Sequence, residues 1–277
     1  MMIKRLGTRI IFAGGIGLLM FFSLFPFMQM LSTSLKSADQ LFTFPPAWIP
    51  KNITFSNFTA AWEHKQFIHY FMNSLFVSVV TCILVIIVSV LAAYSFTRLE
   101  FPGRKFFLNV ILVSQMFCMS AIVIPLYKIV SALGLLNSFP GLILAYMAFT
   151  VPVAVWLLRS FMINIPFDME ESAMMEGATK LQAFMKVVVP LLRPGIGATA
   201  AYVFLMTWQE FLFSLVFITD PLKRTLPIGI MDFKGQYETN WGTMMAASII
   251  ISIPVFILFM VIQKQLISGL TEGATKG

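Results

Sequence analysis

Few residues in this chain can do chemistry. Two histidines and two cysteines stand among 277 residues. His64 and His69 are five apart, a poor metal spacing on a helix, and no cysteine or further histidine lies near them. They read as loop residues. Cys82 and Cys118 both lie inside apolar runs and read as small buried hydrophobes rather than a disulfide pair. No metal site is expected. The sequence contains no H-E-x-x-H and no G-x-x-x-x-G-K-[ST], so neither a zinc hydrolase nor a phosphate-cradling loop for ATP is written in it. What remains is a set of polar groups embedded in apolar sequence: Gln115, Tyr146, Gln209 and Glu210, with Tyr202, Trp208 and Phe211 near the last pair. Polar groups inside a membrane span are costly and face protein or a cavity. One reading is that they line a cavity. The competing reading is packing between helices or against a partner. Packing is preferred for Glu210, and both readings stand for Gln115 and Tyr146.

These groups need a scaffold, and composition says which. The chain is 58% hydrophobic and 11% charged, with a mean hydropathy of +0.87. Soluble domains carry roughly 25% charged residues, so this chain lacks the charge to cover a water-facing surface. The expectation is an all-α polytopic membrane protein forming one domain over residues 1–277. Six apolar runs are long enough to span: Ile10–Leu31, Ser74–Tyr94, Phe107–Tyr127, Pro140–Phe161, Gly195–Ile218 and Thr243–Ile262. The first is too long for a signal-peptide core and is expected to be retained. Pro125, Pro152 and Pro254 fall within spans, where they permit bends. The net charge of +7 suggests no nucleic acid, because the basic residues flank apolar runs and do not interleave with aromatics. Lys4, Arg5 and Arg9 precede the first run, and Arg98, Arg104 and Lys105 follow the second. Arg159, Lys180, Lys186 and Arg193 lie around the connection after the fourth, whereas the long segment 32–73 has only Lys36, Lys51 and Lys65. The positive-inside rule then puts both termini in the cytoplasm and segment 32–73, extended at first by Pro45, Pro46 and Pro50, outside.

The connection between the fourth and fifth runs is the anomaly. From Glu170 to Pro194 it reads EESAMMEGATKLQAFMKVVVPLLRP, polar and helix-prone in an apolar chain. Pro166 stops the fourth helix. Asp168 and Glu171 have the spacing of an N-cap and its partner, and predict a short helix from Met169. Gly177 can end it in the left-handed conformation. Thr179 and Gln182 then form a second capping box, and Leu181, Phe184, Met185 and Val188 make one apolar face before Pro190 and Pro194. The segment 165–194 is therefore two short helices about a turn. It either caps the bundle or receives a second protein. Met174 and Met175, adaptable apolar side chains on a charged segment, are in keeping with the second reading.

At this point the sequence resembles a known family. The permease subunits of binding-protein-dependent ABC importers carry a cytoplasmic E-A-A, three residues, G motif in this place. Here Glu171, Ser172, Ala173, Gly177, Ala178, Phe184, Pro190 and Pro194 correspond to it. The carbohydrate branch, of the maltose-type G subunit, is similar in further places. Its W-N-E-F run matches Trp208, Gln209, Glu210 and Phe211, and its T-L-P matches Thr225, Leu226 and Pro227. Trp241, Gly242, Met245, Ala246, Ala247 and Pro254 follow, along with PPAWIP, MNSLF and the ending GLTEGATKG. Ser172 replaces an alanine, Glu176 an aspartate and Gln209 an asparagine. The resemblance implies a type I importer permease fold in a bacterial inner membrane. It also implies a second homologous permease, two ATPase subunits that bind the ATP and magnesium, a solute-binding protein outside, and a sugar as cargo. This chain itself is expected to hold no cofactor and to catalyse nothing. Residues Glu171, Ser172, Ala173, Met174, Met175, Glu176, Gly177 and Ala178 would form the helix that couples it to the ATPase. Gln115, Tyr146, Tyr202, Trp208, Gln209 and Glu210 would face the substrate path. A channel or secondary transporter is the alternative, but the sequence shows neither a repeat nor more than one clear mid-span carboxylate, Glu210.

Overall fold

A computed structural model describes residues 2–45, 47–64, 66–234 and 239–274, with the side chains of Phe12 and of those described residues from 14 to 263. Lys4, Arg5, Arg9, Pro46, Lys65 and the GLTEGATKG ending therefore fall, in whole or in side chain, outside the described residues. In chain order the α-helices are α1 (Met2–Ser34), α2 (Ala38–Leu41), α3 (Ser56–Glu63), α4 (Phe67–Arg98), α5 (Arg104–Ser114), α6 (Met119–Ala132) and α7 (Phe139–Ile163). They continue as α8 (Asp168–Met175), α9 (Lys180–Ala183), α10 (Val189–Leu191), α11 (Arg193–Trp208), α12 (Leu212–Phe217), α13 (Leu226–Gly229) and α14 (Trp241–Ala274). Among the described residues there is no strand, only an isolated bridge between Lys234 and Thr239.

Four stretches cross a membrane by length and composition as single helices: Gly14–Ser34, Phe67–Arg98, Phe139–Ile163 and Trp241–Gln263. Two further helix pairs reach the length and composition of a span together but are sharply bent. The pair α5 and α6 bends by 109°, and the helix ending at Leu191 bends by 70° into α11. Counting each bent pair once gives six. Two expected runs are thus corrected. Phe107–Tyr127 is not continuous, because the chain turns at Gln115–Cys118 with tightened bonds from Gln115 N–H to Leu112 O and Met116 N–H to Val113 O. Both limbs are apolar and no proline or glycine marks the turn, so the run reads as one. Gly195–Ile218 is broken at Gln209–Phe211, between α11 and α12. Pro125, Pro152 and Pro254 do lie inside helices α6, α7 and α14.

The chain divides into two compact units. The first takes residues up to Ile68 and Gly229–Ile253. Its segment 32–64 is not simply extended, because α2 and α3 interrupt it. The Asn57 amide donates to Ser34 O at 2.9 Å and Lys36 O at 2.7 Å, tying α3 back to the end of α1. Gly242 lies so close to Asn57 that an added Cβ would meet its side chain at 2.7 Å. His64 caps the end of α3 with its ring 4.9 Å from Phe233. The second unit takes His69–Ile228 and the rest of α14. His69 lies within α4 rather than in a loop. Among the described residues its core shows three parts. Val77, Val123, Leu142, Tyr146, Phe213 and Phe217 fill one end. Val85, Ala154 and Val203 fill the middle. Val90, Leu158, Met162, Phe184, Val188 and Leu192 fill the other, beneath the α8–α10 segment. Cys82 is half-buried as expected, but Cys118 stands exposed at the α5–α6 break, where no neighbouring turn covers it.

Candidate coupling hairpin and polar groups of the spans

The segment after α7 is two short helical limbs about one glycine. Helix α8 runs Asp168–Met175, and its N-cap is Phe167 in helical conformation with no side-chain cap. Asp168 is therefore inside the first turn and not the cap. The helix starts a residue earlier than expected because Phe167 O already accepts from Glu170 and Glu171 N–H. Asp168, Glu170 and Glu171 instead place three carboxylates in the first turn, where the helix dipole favours them. The far end has a Schellman closure. Gly177 N–H donates to Met174 O and Ala178 N–H to Ala173 O, both at 3.0 Å, with Gly177 at φ 94°. A side chain there would be strained by the left-handed backbone.

The second limb begins with the expected capping box: Gln182 N–H donates to Thr179 Oγ1 at 3.3 Å, and Thr179 N–H to Gln182 Oε1 at 2.8 Å. After α9 the chain widens into a π turn over Phe184–Val188, with Val189 N–H donating to Phe184 O. Pro190, which has no N–H, stands at the following turn. The four-residue apolar face is only half realised. Phe184 and Val188 are buried, while Leu181 is 70% and Met185 57% exposed. Phe184 and Val188 pack with Val90, Leu158 and Met162. On the first limb Met175 is 88% exposed, and Glu171, Ser172, Glu176 and Gly177 are also exposed, with Ala173, Met174 and Ala178 half-buried. Met175, Leu181 and Met185 are thus apolar side chains left exposed on the hairpin, as are the acidic Glu171 and Glu176.

The acidic doublet divides its labour. Glu171 is free at the surface, but Glu170, which the spacing did not single out, is 2% exposed. Its Oε1 accepts from Arg98 Nε at 2.5 Å, and its Oε2 from the Tyr94 hydroxyl at 3.2 Å. Arg98 Nη2 also donates to Ile165 O at 2.8 Å, and its guanidinium lies 5.5 Å from the Phe167 ring centre. Adjacent residues on a helix point about 100° apart, so two neighbouring glutamates need not share one environment, but the spacing does not say which is buried.

The polar groups of the spans are distributed unevenly. Tyr146 is fully buried in α7, and its hydroxyl donates to Glu210 Oε2 at 2.9 Å. Glu210 also accepts from Phe213 N–H at 2.8 Å and Ser214 N–H at 3.3 Å, which makes it the side-chain cap of α12. Trp208 is buried too, stacked on Phe204 at 5.4 Å and edge-on to Phe71 at 5.8 Å. Tyr202 is half-buried beside Val203 and Ala154. Gln115 and Gln209 are exposed, Gln115 donating to Pro152 O at 3.3 Å. The structure thus joins Tyr146 to Glu210 and leaves the two glutamines on the subunit's surface. No metal-ligand cluster occurs among the described residues.

Known proteins share these features. The sequence pattern of the family described as binding-protein-dependent transport system inner membrane component matches residues 85–272. The sulfoquinovosyl glycerol transport system permease protein SmoH of Agrobacterium fabrum is 38% identical over 254 residues, covering 92% of this chain and 89% of that protein. The trehalose/maltose transport system permease protein MalG of Thermococcus litoralis is 35% identical, covering 97% of each. A chain in the crystal structure of a bacterial ABC transporter involved in the import of the acidic polysaccharide alginate superposes with a TM-score of 0.82 at 24% identity. It covers 92% of this chain and 95% of that one, a likeness of fold.

Proposed function

The chain belongs to the family of binding-protein-dependent transport system inner membrane components, the permease subunits of ABC importers, and on that premise we propose how it works and what it carries. It forms half of the path for a carbohydrate, the chemical class named for its relatives. A second homologous permease forms the other half. Two cytoplasmic ATPase subunits bind ATP and magnesium, and a solute-binding protein delivers the sugar from outside. Both termini face the cytoplasm, in keeping with the basic residues that flank the first and second runs.

The observation that carries this reading is the exposed face of the 168–191 hairpin. Met175, Leu181 and Met185 are exposed there, as are Glu171 and Glu176, on a segment closed by a capping box and a Schellman turn. Such a surface fits a cleft with an apolar floor and a basic rim. Glu171 forms an ion pair with a basic residue of the ATPase, Gly177 makes the turn, and Ser172, Ala173, Met174 and Ala178 complete the contact. ATP-driven closure of the ATPases moves the two hairpins and alternates access to the path. Gln115 and Gln209, exposed on this subunit, face the path with Tyr202. Trp208, Tyr146 and Glu210 shape it from within. The test is purification of the assembled importer. Glu171→Lys and Gly177→Asp are expected to insert normally yet lose the co-purifying ATPase, and normal retention in both sinks the assignment. Calorimetry on the partner binding protein with trehalose, maltose and sulfoquinovosyl glycerol tests the substrate class. Heat from none of these or other carbohydrates, together with uptake by this chain alone without ATP, overturns it.

A further inference from the structure

The grip of one helix on both limbs of the hairpin has a mechanical meaning. Two residues at the end of α4, Arg98 and Tyr94, reach the segment from the end of α7 to the second limb. Arg98 Nε holds Glu170, its Nη2 holds the carbonyl of Ile165, and its plane covers Phe167. Tyr94, one turn back, donates to the other oxygen of Glu170, and its ring stands edge-on to Phe184 of the second limb at 4.7 Å. Thus α8 and the π turn beyond Gly177 are fastened to the same 32-residue membrane helix. The fastening is polar on one limb and apolar on the other. The ion pair is nearly dry, with the two side chains 8% and 2% exposed. A small cavity of about 50 Å³, lined by Tyr94, Arg98, Phe167, Glu170, Met174 and Lys180, lies beside it.

A buried pair is poor evidence for stability, since apolar residues of similar volume often replace one at no cost. What the arginine fork supplies that an apolar contact does not is direction. Two hydrogen bonds at fixed angles to residues 165 and 170 resist rotation of α8 about its own axis, whereas apolar contacts let helices slide.

We infer that Arg98, Glu170 and Tyr94 are positioning residues that lock the hairpin to α4, so that displacement of the hairpin is passed to the membrane helix as a rigid-body movement. The inference rests on the reading of residues 168–191 as the ATPase-facing lever. In it Glu171 meets the partner and Glu170 transmits the movement inward.

The test uses the assembled importer in nanodiscs, with Cys82→Ala and Cys118→Ser as background. Spin labels are placed at Asp168→Cys on α8 and Ile83→Cys on α4, the latter about 22 Å up the helix from Arg98 at 1.5 Å per residue. Both positions are exposed. Distances are read in the resting state and after trapping with ATP and orthovanadate. With the native trio the mean distance is expected to be the same in both states. In Glu170→Gln it is expected to change on trapping by more than the roughly 1–2 Å of an ordinary helix shift, with the ATPase still bound. Arg98→Met with Glu170→Leu, which leaves no unpaired charge, should behave likewise and guards against misfolding of the single variant. Tyr94→Phe, which keeps the ring on Phe184, should give a smaller change. Overturning results are an unchanged distance in the double variant, a changed distance with the native trio, or loss of the ATPase from the double variant. The docking reading fails separately, through retention of the ATPase by Glu171→Lys and Gly177→Asp.

Discussion

Replacing Glu210 by alanine removes the side-chain cap of α12 and strands a buried hydroxyl. The carboxylate accepts three bonds, from Phe213 N–H at 2.8 Å, Ser214 N–H at 3.3 Å and the Tyr146 hydroxyl at 2.9 Å. Loss of a helix cap costs about 0.5–2 kcal/mol. A buried hydroxyl left without a partner costs about 1–3 kcal/mol more. Together these predict a destabilisation of about 1.5–5 kcal/mol, or roughly 3–20 °C for a chain of this size. Tyr146→Phe removes only one bond and leaves Glu210 its two amides, so it should cost about 0.5–1.5 kcal/mol. The sharper expectation is a change of sign. In the Glu210→Ala background, Tyr146→Phe removes the stranded hydroxyl and should raise stability. The assay is thermal unfolding in detergent, followed by a thiol-reactive fluorophore at half-buried Cys82, with exposed Cys118 replaced by serine. The reasoning is refuted if Glu210→Ala melts with the wild type, or if Tyr146→Phe costs the same in both backgrounds.

Two other perturbations test the local architecture. Thr179→Ala deletes the capping box of the second limb, at about 0.5–2 kcal/mol. Hydrogen exchange at the Gln182 amide should accelerate while the α7 core stays protected, and unchanged exchange at Gln182 would argue against the cap. Gly141→Ala places a Cβ 2.2 Å from the Leu135 carbonyl oxygen and 3.0 Å from Val130 Cγ1. Backbone cannot yield there, so about 1–3 kcal/mol of overpacking should lower the melting temperature, and an unshifted melt would refute the close approach.

Much of the 168–191 hairpin was legible because its determinants are neighbours in the chain. The Thr179–Gln182 box and the Gly177 turn each close within a few residues, so their bonds depend on little beyond the side chains themselves. The Asp168 cap failed for a local reason as well: the backbone of Phe167 was already helical, which moved the start of α8 by one residue. The spans were legible in number and not in continuity. A turn between two apolar limbs, as at Gln115–Cys118, keeps its hydropathy through the break.

Composition settled that this chain lives in a membrane as helices, since a surface short of charge has no other stable home. Packing alone decided which polar groups are buried. Glu170 and Glu171 are the same residue type, side by side, and nothing near them in sequence tells them apart. Arg98 lies 72 residues away and Tyr94 76, and only their approach makes one glutamate dry and leaves the other in water. Likewise Tyr146 and Glu210 are 64 residues apart: the carboxylate caps α12 through its own chain neighbours, and only the approach of α7 adds the Tyr146 hydroxyl. Local hydrogen bonds are specified by spacing. Desolvation is specified by whatever folds over the group.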